Sequence, residues 1–245
     1  MNKGRCLGLI GGLGTGAAVH YYEKLAQAHE KAHLTLDLVM VHAETSRVFE
    51  YAGAGDRDGL ARYLRSFIDR LKAAGADLAV IPAVTPHYCV RELLAISPLP
   101  LFNIFEPLVK ELSARSVRRV GVFGTRFVID SALFGMLDGV EVVQPRPEEV
   151  EYIHHTYVEL GQRGEGSEAQ YRGLTKLALT FCKRDGVDAI ILAGTDLTLL
   201  FNDANIEFPY LDCAALHLRA IMEDVLGHEQ LVEMQRTLAT RNAGG

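Results

Sequence analysis

Two similar stretches of the sequence end in small and hydroxyl-bearing residues that could line a binding site. Residues 75–85 and 186–195 each read Gly-x-Asp, then an apolar run, then small residues and a threonine. Such an apolar run is typical of a buried parallel strand, whose carboxyl end opens onto a ligand-binding crevice. Residues 83–87 and 194–196 are therefore expected to face each other. His87 could act there as a general acid or base, since imidazole titrates near neutral pH; a packing or capping histidine is the alternative.

A glycine-rich segment near the start of the chain could bring backbone N–H groups to an anion. Residues 11–16 read GGLGTG between a predicted strand and a predicted helix, so we expect Gly11 and Gly12 to contribute to a carboxylate site. The same glycines fit a dinucleotide-binding turn, G-x-G-x-x-A. That interpretation lacks the acidic residue at the end of the second strand, because Asp37 lies at the start of that strand and Glu44 lies beyond its end. A purely structural turn is the third possibility.

Three further side chains at predicted strand ends could contact a ligand. Arg47 follows the second strand and could pair with a carboxylate in bidentate fashion, or it could be a solvated loop arginine. Thr125 occupies the position that the glycine turn has in the first half, where it could hold an anion or cap a helix. Asp212 is a candidate N-cap for a helix that carries His217. His217 would face the same crevice; a cap and a satisfied histidine are the alternative.

The elements that must position these residues alternate between strands and helices. Apolar runs predict strands at residues 6–10, 37–41, 78–82, 119–123, 140–143, 189–192 and 208–211. Longer helical patterns predict helices at residues 21–29, 60–74, 148–160 and 167–182. This alternation is typical of α/β proteins, in which parallel strands are joined by crossover helices.

The internal repeat indicates two like halves. We therefore predict an α/β fold with two pseudo-symmetric parallel-sheet halves and the site in the cleft between them. The first half would comprise residues 1–115 and the second half residues 116–212. The C-terminal segment, residues 213–245, would add helices at 213–226 and 229–239 that cross back and complete the first half.

Composition narrows the class of partner. Of 245 residues, 49% are apolar, and the formal net charge is −6. A negative chain without a Lys/Arg run argues against nucleic acid and acidic membrane surfaces, so a small molecule is expected. No apolar stretch resembles a signal sequence or a membrane span, which favours a cytoplasmic protein. The four cysteines have no CxxC or zinc-type spacing, so we predict neither a disulfide framework nor a metal site.

Several separated segments together resemble the aspartate/glutamate racemase superfamily, which includes hydantoin racemases, arylmalonate decarboxylase and maleate isomerases. The segment Pro-Ala-Val-Thr-Pro-His at 82–87 is similar to the family's Cys-Asn-Thr-x-His, and Leu-Ala-Gly-Thr-Asp at 192–196 is similar to its Leu-Gly-Cys-Thr-Glu. The other matching segments are the glycine-rich turn at 8–14, Gly-Thr-Arg at 124–126, Tyr-x-Glu-Leu at 157–160 and Asp-x-x-x-x-His at 212–217. Their order and spacing hold over essentially the full length.

The resemblance implies a cofactor-independent enzyme in which two facing cysteines carry a proton to and from an α-carbon. In this sequence Ala83 and Gly194 match those two cysteines, and neither residue can carry a proton. Val84 stands where the family has an asparagine, and Val128 stands where it commonly has a hydroxyl. The family's two-cysteine mechanism is therefore excluded for this sequence. The resemblance also implies a homodimer.

Three functions remain open at this point. The first is an isomerase-type enzyme acting on a small carboxylate with altered machinery drawn from Thr85, His87, Thr195 and Asp196. The second is a catalytically silent homologue that binds a metabolite or a protein. The third, a nicotinamide-dependent oxidoreductase, depends on the glycine turn alone. Ala83 and Gly194 would enlarge the pocket and make it less polar, so we expect a bulkier or less polar acid than aspartate.

The positions at the strand ends and the resemblance together predict a set of substrate-binding residues. These are Gly11, Gly12, Arg47, Val84, Thr85, Thr125, Val128, Thr195 and His217.

Overall fold

Two parallel four-stranded sheets form the frame of the protein. The computed structural model describes residues 5–226. The strand order is β2-β1-β3-β4 in the first sheet and β6-β5-β7-β8 in the second, and all neighbouring strands are parallel. The two sheets have the same order when the strands are counted within each half. The predicted α/β fold with two like parallel sheets is confirmed.

The elements of the first sheet and its helices run from β1 to α5. They are β1 (Leu7–Gly11), α1 (Thr15–Lys31), β2 (Leu38–His42), α2 (Thr45–Gly53), α3 (Arg57–Ala73), β3 (Leu78–Val80), a 3-10 helix (Thr85–Cys89), α4 (Val90–Ile96), β4 (Leu101–Phe102) and α5 (Phe105–Ala114). The second set comprises β5 (Arg119–Phe123), α6 (Arg126–Asp130), a 3-10 helix (Leu133–Gly135), β6 (Glu141–Val142), α7 (Pro147–Arg163), α8 (Glu168–Asp185), β7 (Ala189–Leu192), a 3-10 helix (Thr195–Leu199), β8 (Tyr210–Asp212) and α9 (Cys213–Leu226).

The aspartate of each Gly-x-Asp repeat anchors the central strand of its sheet. Asp77 accepts a hydrogen bond from the backbone N–H of Cys6, just before β1, at 2.7 Å. Asp188 accepts bonds from the N–H groups of Arg118 and Arg119, at the start of β5, at 2.8 and 2.9 Å. Both carboxylates thus lie at the amino ends of the strands, opposite the edge where a ligand is expected. The aspartate that is repeated in the two halves therefore has a structural role.

Helix α9 follows the last strand of the second sheet but packs on the first. Ala214, Leu218 and Ile221 lie in one buried cluster with Leu7 and Tyr21 of the first half. The proposed division at about residue 115, with the C-terminal segment completing the first half, stays a prediction. The helix predicted at residues 229–239 lies outside the described residues.

The sequence patterns miss two short elements that shape the site. Helix α2 has only two buried residues, Val48 and Ala52, and its nine residues are fewer than the roughly 10 to 12 over which a helical pattern is recognised. Strand β4 has two residues, too few to show an alternating pattern. Because α2 begins at Thr45, Arg47 lies in a helix and not in a loop as expected. None of the helices within residues 5–226 is long and apolar enough to span a membrane.

Candidate functional site

A cavity of about 290 Å³ lies where the carboxyl ends of the two sheets face each other. Its floor is formed by residues that directly follow the central strands: Leu13 and Gly14 after β1, Ala83 to Pro86 after β3, Thr125 after β5, and Ala193, Thr195 and Asp196 after β7. Its walls are one face of α2 (Thr45, Val48, Phe49) and one face of α7 (His154, Tyr157, Val158, Gly161, Gln162). The structure thus brings most of the two expected strand tips to one cavity.

Three threonines begin helices at the floor of this cavity. Thr85 and Thr195 are the first residues of equivalent 3-10 helices. Thr125 is the N-cap of α6, where its hydroxyl oxygen accepts a hydrogen bond from the backbone N–H of Val128 at 3.3 Å. Thr125 therefore acts as a helix cap and also lines the cavity. Val84, which lines the cavity between Ala83 and Thr85, adds only apolar surface.

Tyr157 fills the space that the absent side chain of Gly194 leaves. A Cβ atom built on Gly194 would lie 2.2 Å from Cε2 of the Tyr157 ring and 2.8 Å from Cζ. Non-bonded carbon atoms do not approach so closely, so the ring and a side chain at position 194 exclude each other. The expectation that Gly194 enlarges the pocket is therefore wrong, because the phenol ring takes that volume.

Asp196 is a buried carboxyl group held between the two halves. Its side chain lies close to Gly16 in the first turn of α1, where a built Cβ would be 3.1 Å from Oδ1. On the other side, a Cβ at Gly161 of α7 would be 3.4 Å from Oδ2. Burial raises the pKa of Asp196, while the neighbouring Tyr157 hydroxyl opposes that shift. Burial, followed by the charge of Asp196, raises the pKa of Tyr157, so the phenol stays protonated at neutral pH.

His87 and His217 lie behind the cavity floor and do not line it. His87 is 1% exposed, its Nδ1 donates to the carbonyl oxygen of Ala83 at 2.8 Å, and its Nε2 has no partner among residues 5–226. His217 is fully buried, donates from Nε2 to the Phe102 carbonyl at 3.2 Å and accepts at Nδ1 from the Tyr21 hydroxyl at 3.0 Å. The expected position of His217 facing the crevice is thus corrected, because its ring is enclosed between α1 and β4.

Burial has a large effect on the protonation of these two histidines. It lowers the pKa of His87 to about 4 and that of His217 to about 3. The two rings are 6.1 Å apart, so a charge on His87 also disfavours a charge on His217. Both imidazoles are neutral at physiological pH. Both histidines are packed and hydrogen-bonded in the core, and neither lines the cavity.

Gly11 and Gly12 were predicted to contact an anion, but in the structure both are packed against the protein's own chain. Gly11 is the last residue of β1 and is buried. Gly12 has a φ of 82°, and a Cβ on it would lie 2.1 Å from the carbonyl oxygen of Ala43, after β2. The turn therefore needs glycine to let two backbone segments approach. Neither glycine lines the cavity, and the glycine pattern has a structural cause that needs no dinucleotide.

Arg47 and Val128 also lie away from the cavity. Arg47 is 51% exposed in its side chain and donates from Nη1 to Glu50 at 2.8 Å on the solvent face of α2. Val128 is fully buried in the core of the second half.

Helix α7 supplies five cavity-lining residues to which the sequence patterns gave no role in the site. His154, Tyr157, Val158, Gly161 and Gln162 share one face because they are spaced by three or four residues. The available signal was the Tyr-x-Glu-Leu segment at 157–160, which contains Tyr157. The nearby mouth of the cavity carries Phe49, which is 46% exposed.

The charge of the cavity wall is unusual for a site that binds a dicarboxylate. Among the described residues that line it there is no lysine and no arginine, and its ionisable side chains are His154, Tyr157 and Asp196. No cysteine lines it either. Cys89 is fully buried, its thiol donates to the Pro86 carbonyl at 3.4 Å, and burial raises its pKa to about 12.

Within residues 5–226 there is no cluster of three or more His, Cys, Asp or Glu side chains that could hold a metal ion.

Both the sequence and the fold of this chain are similar to those of known proteins. Residues 10–221 match the family model described as Asp/Glu/Hydantoin racemase. A glutamate racemase from Aquifex aeolicus is 34% identical over 110 residues, which are 44% of this chain and 42% of that protein. The chain therefore matches less than half the length of that curated relative.

Two solved structures are similar over nearly their whole length. A candidate Asp/Glu racemase from Yersinia pestis has a TM-score of 0.77 and 26% identity, covering 91% of this chain and 99% of that chain. An aspartate racemase homologue from Pyrococcus horikoshii has a TM-score of 0.76 and 23% identity, covering 90% of this chain and 99% of that chain. The second likeness concerns the fold alone.

Proposed function

The chain belongs to the Asp/Glu/hydantoin racemase family, and from that premise we propose that it binds a small carboxylic acid in the cavity between its two sheets without two-thiol proton transfer. The observation that carries the proposal is the pairing of Gly194 with the Tyr157 ring, which leaves no space for a second-half thiol. Ala83 provides no thiol on the opposite side. The strand tips can therefore hold a ligand but cannot exchange its proton through a cysteine pair.

Backbone and hydroxyl donors support a carboxylate as the ligand. Gly14 and Thr45 line the cavity at the amino ends of α1 and α2, where helix N–H groups are directed outward and the helix dipole favours negative charge. The hydroxyl groups of Thr85, Thr125 and Thr195 lie on the same floor. Together these groups offer hydrogen-bond donors without a formal positive charge.

The rest of the wall favours an acid less polar than aspartate. Leu13, Val48, Phe49, Val84 and Val158 give the cavity a largely apolar surface. A second carboxylate on the ligand would meet no lysine or arginine, and it would lie near Asp196. Burying a charge without a partner is costly. We therefore propose a monocarboxylate with an apolar substituent as the ligand class.

A second candidate function, chemistry at the α-carbon with a single acid/base group, is favoured by Asp196. This carboxyl group lines the cavity, and burial raises its pKa, as is common for groups that take up and return a proton. Its ionised form would remove the α-proton, and its protonated form would return a proton exchanged with solvent. Thr85 and Thr195 would then hold the substrate. His87, a catalytic candidate from the sequence, would act only through the Ala83 carbonyl that it contacts. A homodimer and a cytoplasmic location stay predictions from family resemblance and composition.

One pair of measurements tests the proposal and separates the two candidates. Thermal unfolding with propionate, isovalerate, phenylacetate, aspartate and glutamate should show stabilisation by the apolar monocarboxylates, because binding to the native state raises the melting temperature. Incubation of the same acids in D₂O, followed by mass spectrometry, reports exchange at the α-carbon. Stabilisation without exchange supports a binding protein, and exchange supports chemistry by a single acid/base group. Absence of stabilisation by every acid would contradict both.

A further inference from the structure

His154 makes one hydrogen bond that fixes the chemistry of its ring. The backbone N–H of Arg126, the first residue of α6, donates to Nδ1 of His154 at 3.2 Å. A backbone amide can only donate, so Nδ1 must be the unprotonated nitrogen of the imidazole. The proton of the neutral ring therefore resides on Nε2. Protonation of Nδ1 would break this bond and place a positive charge at the amino end of α6, which the helix dipole disfavours.

The other nitrogen of the same ring is unpaired in the part of the chain that the structure describes. His154 lines the cavity from α7, beside Tyr157 and Val158, and its Nε2 has no hydrogen-bond partner within residues 5–226. Burial lowers the pKa of His154 from its ordinary value, and the charge of Arg126 acts in the same direction, partly opposed by Glu151. At neutral pH the imidazole is thus a neutral group with a single free donor.

We propose that the Nε2–H group of His154 is the directional donor that binds the carboxylate of the ligand and thereby sets the specificity of the cavity. This inference rests on the proposed function and adds a residue that neither the sequence motifs nor the family match singles out. A fixed neutral donor can bind one carboxylate without taking up a proton. It does not supply the charge that a second carboxylate would need.

The spacing on α7 explains why His154 is placed for this role. Residues 154, 157, 158 and 161 line the cavity one after another along α7. His154 therefore lies one helical turn before Tyr157 on the same face of the helix. Asp196 lies close to Gly161, one further turn along the helix. The donor of His154 and the carboxyl group of Asp196 are therefore separated along the wall. A ligand carboxylate at His154 avoids direct repulsion from Asp196.

Nitrogen NMR combined with binding measurements tests the inference. The two ring nitrogens of a neutral imidazole give well-separated ¹⁵N shifts, so the tautomer of His154 in the ¹⁵N-labelled protein can be read directly. We expect the Nε2–H form at pH 7, with a shift of Nε2 when phenylacetate is added. Phenylacetate should bind at least about tenfold more weakly to His154→Phe, the expected loss for a hydrogen bond to a charged group. Succinate should bind to the native protein about tenfold more weakly than phenylacetate.

Two variants keep the result interpretable if the phenylalanine disturbs packing. His154→Gln retains an acceptor for the Arg126 N–H and a donor for the ligand, so it should keep most of the affinity. His155→Gln is the matched control, because the adjacent His155 side chain is 76% exposed and does not line the cavity. An Nδ1–H tautomer or an imidazolium at pH 7 would overturn the inference. Unchanged affinity of His154→Phe would overturn it as well, while leaving carboxylate binding intact.

Failure of the proposed function has a different signature. If no carboxylate bound to the native protein, neither Nε2 of His154 nor any other cavity resonance would shift on titration. That result would overturn the proposed function together with the role of His154. Binding to the native protein with equal affinity for His154→Phe would overturn the inference about His154 alone.

Discussion

The ring of Tyr157 occupies the space in which a side chain at position 194 would lie, so Gly194 and Tyr157 form a matched pair. Gly194 lies just after β7, and Tyr157 lies in the middle of α7. The φ of Gly194 is −155°, an extended conformation that any residue can adopt. The need for glycine at this position therefore comes from the tyrosine ring and not from the backbone.

The first prediction concerns this pair. Gly194→Ala should lower the free energy of unfolding by about 1 to 3 kcal/mol, because the new methyl group overlaps the ring. Tyr157→Ala in the same chain should remove most of that cost, so the two changes should be strongly non-additive in urea unfolding. Gly53→Ala is the control, since a Cβ there meets nothing within 4 Å. Additive effects of the first two changes would contradict the pairing.

A second prediction concerns restoring a pair of thiols. Ala83→Cys combined with Gly194→Cys should give no α-proton exchange with aspartate or glutamate in D₂O, because the Tyr157 ring displaces the new thiol at position 194. Adding Tyr157→Ala makes space for that thiol, and exchange should then rise above the background of the native protein. Exchange by the double variant alone would show that the ring moves aside freely.

The third prediction is a loss of stability in mild acid, caused by His87 and His217. Their pKa values in the folded state, about 4 and about 3, lie below the ordinary value of 6.5. Between pH 6.5 and the pKa of each histidine in the folded state, the unfolded chain binds more protons than the native protein. The free energy of unfolding therefore falls as the pH falls below 6.5. Each histidine contributes a slope of up to about 1.4 kcal/mol per pH unit.

Urea unfolding at pH 7 and at pH 5 measures this slope. His87→Phe should make the slope smaller by about one proton, because the contribution of one of these two buried imidazoles is then removed. Gly53→Ala, which changes no titratable group, should leave the slope unchanged. Equal slopes for the native protein and His87→Phe would contradict the assignment of the effect to the buried ring.

A fourth prediction separates the structural repeat from the site. Asp188→Ala removes the acceptor for the N–H groups of Arg118 and Arg119 and should cost about 1 to 3 kcal/mol of stability. Asp188→Asn keeps one acceptor oxygen and should cost less. Both variants should bind phenylacetate as the native protein does, as measured by calorimetry, because Asp188 lies at the opposite edge of the sheet. A large loss of affinity would place this aspartate in a role that the structure does not indicate.

The fifth prediction distinguishes two residues that the sequence placed in one binding set. Thr195→Val keeps the shape of the side chain but removes a hydroxyl on the cavity floor, so phenylacetate should bind on the order of tenfold more weakly. Arg47→Ala should leave the affinity unchanged, because Arg47 pairs with Glu50 in solvent. Calorimetric titration of both variants gives the comparison. The reverse order of effects would mean that α2 turns Arg47 toward the ligand.

The sequence alone determined the frame of this protein. Apolar runs of four or five residues and a repeated Gly-x-Asp segment are local patterns, and they predicted the main strands, their parallel arrangement and the two like halves. The strand tips followed from the same register, so Ala83, Thr85, Thr195 and Asp196 were correctly placed at one edge of the sheets. Short elements such as α2 and β4 were missed because they are shorter than the windows over which a helix or a strand is recognised.

Only the tertiary structure decided which side chains reach the cavity. The direction of a side chain depends on how its helix is rotated and on what packs against it, and neither is encoded in local spacing. The 3-10 turn after β3 directs His87 back under the Ala83 carbonyl, whereas α7, distant in sequence, turns His154 and Tyr157 toward the strand tips. The sequence suggested that the missing side chain at Gly194 leaves empty space in the pocket. In the structure the ring of Tyr157, which belongs to another element, fills that space.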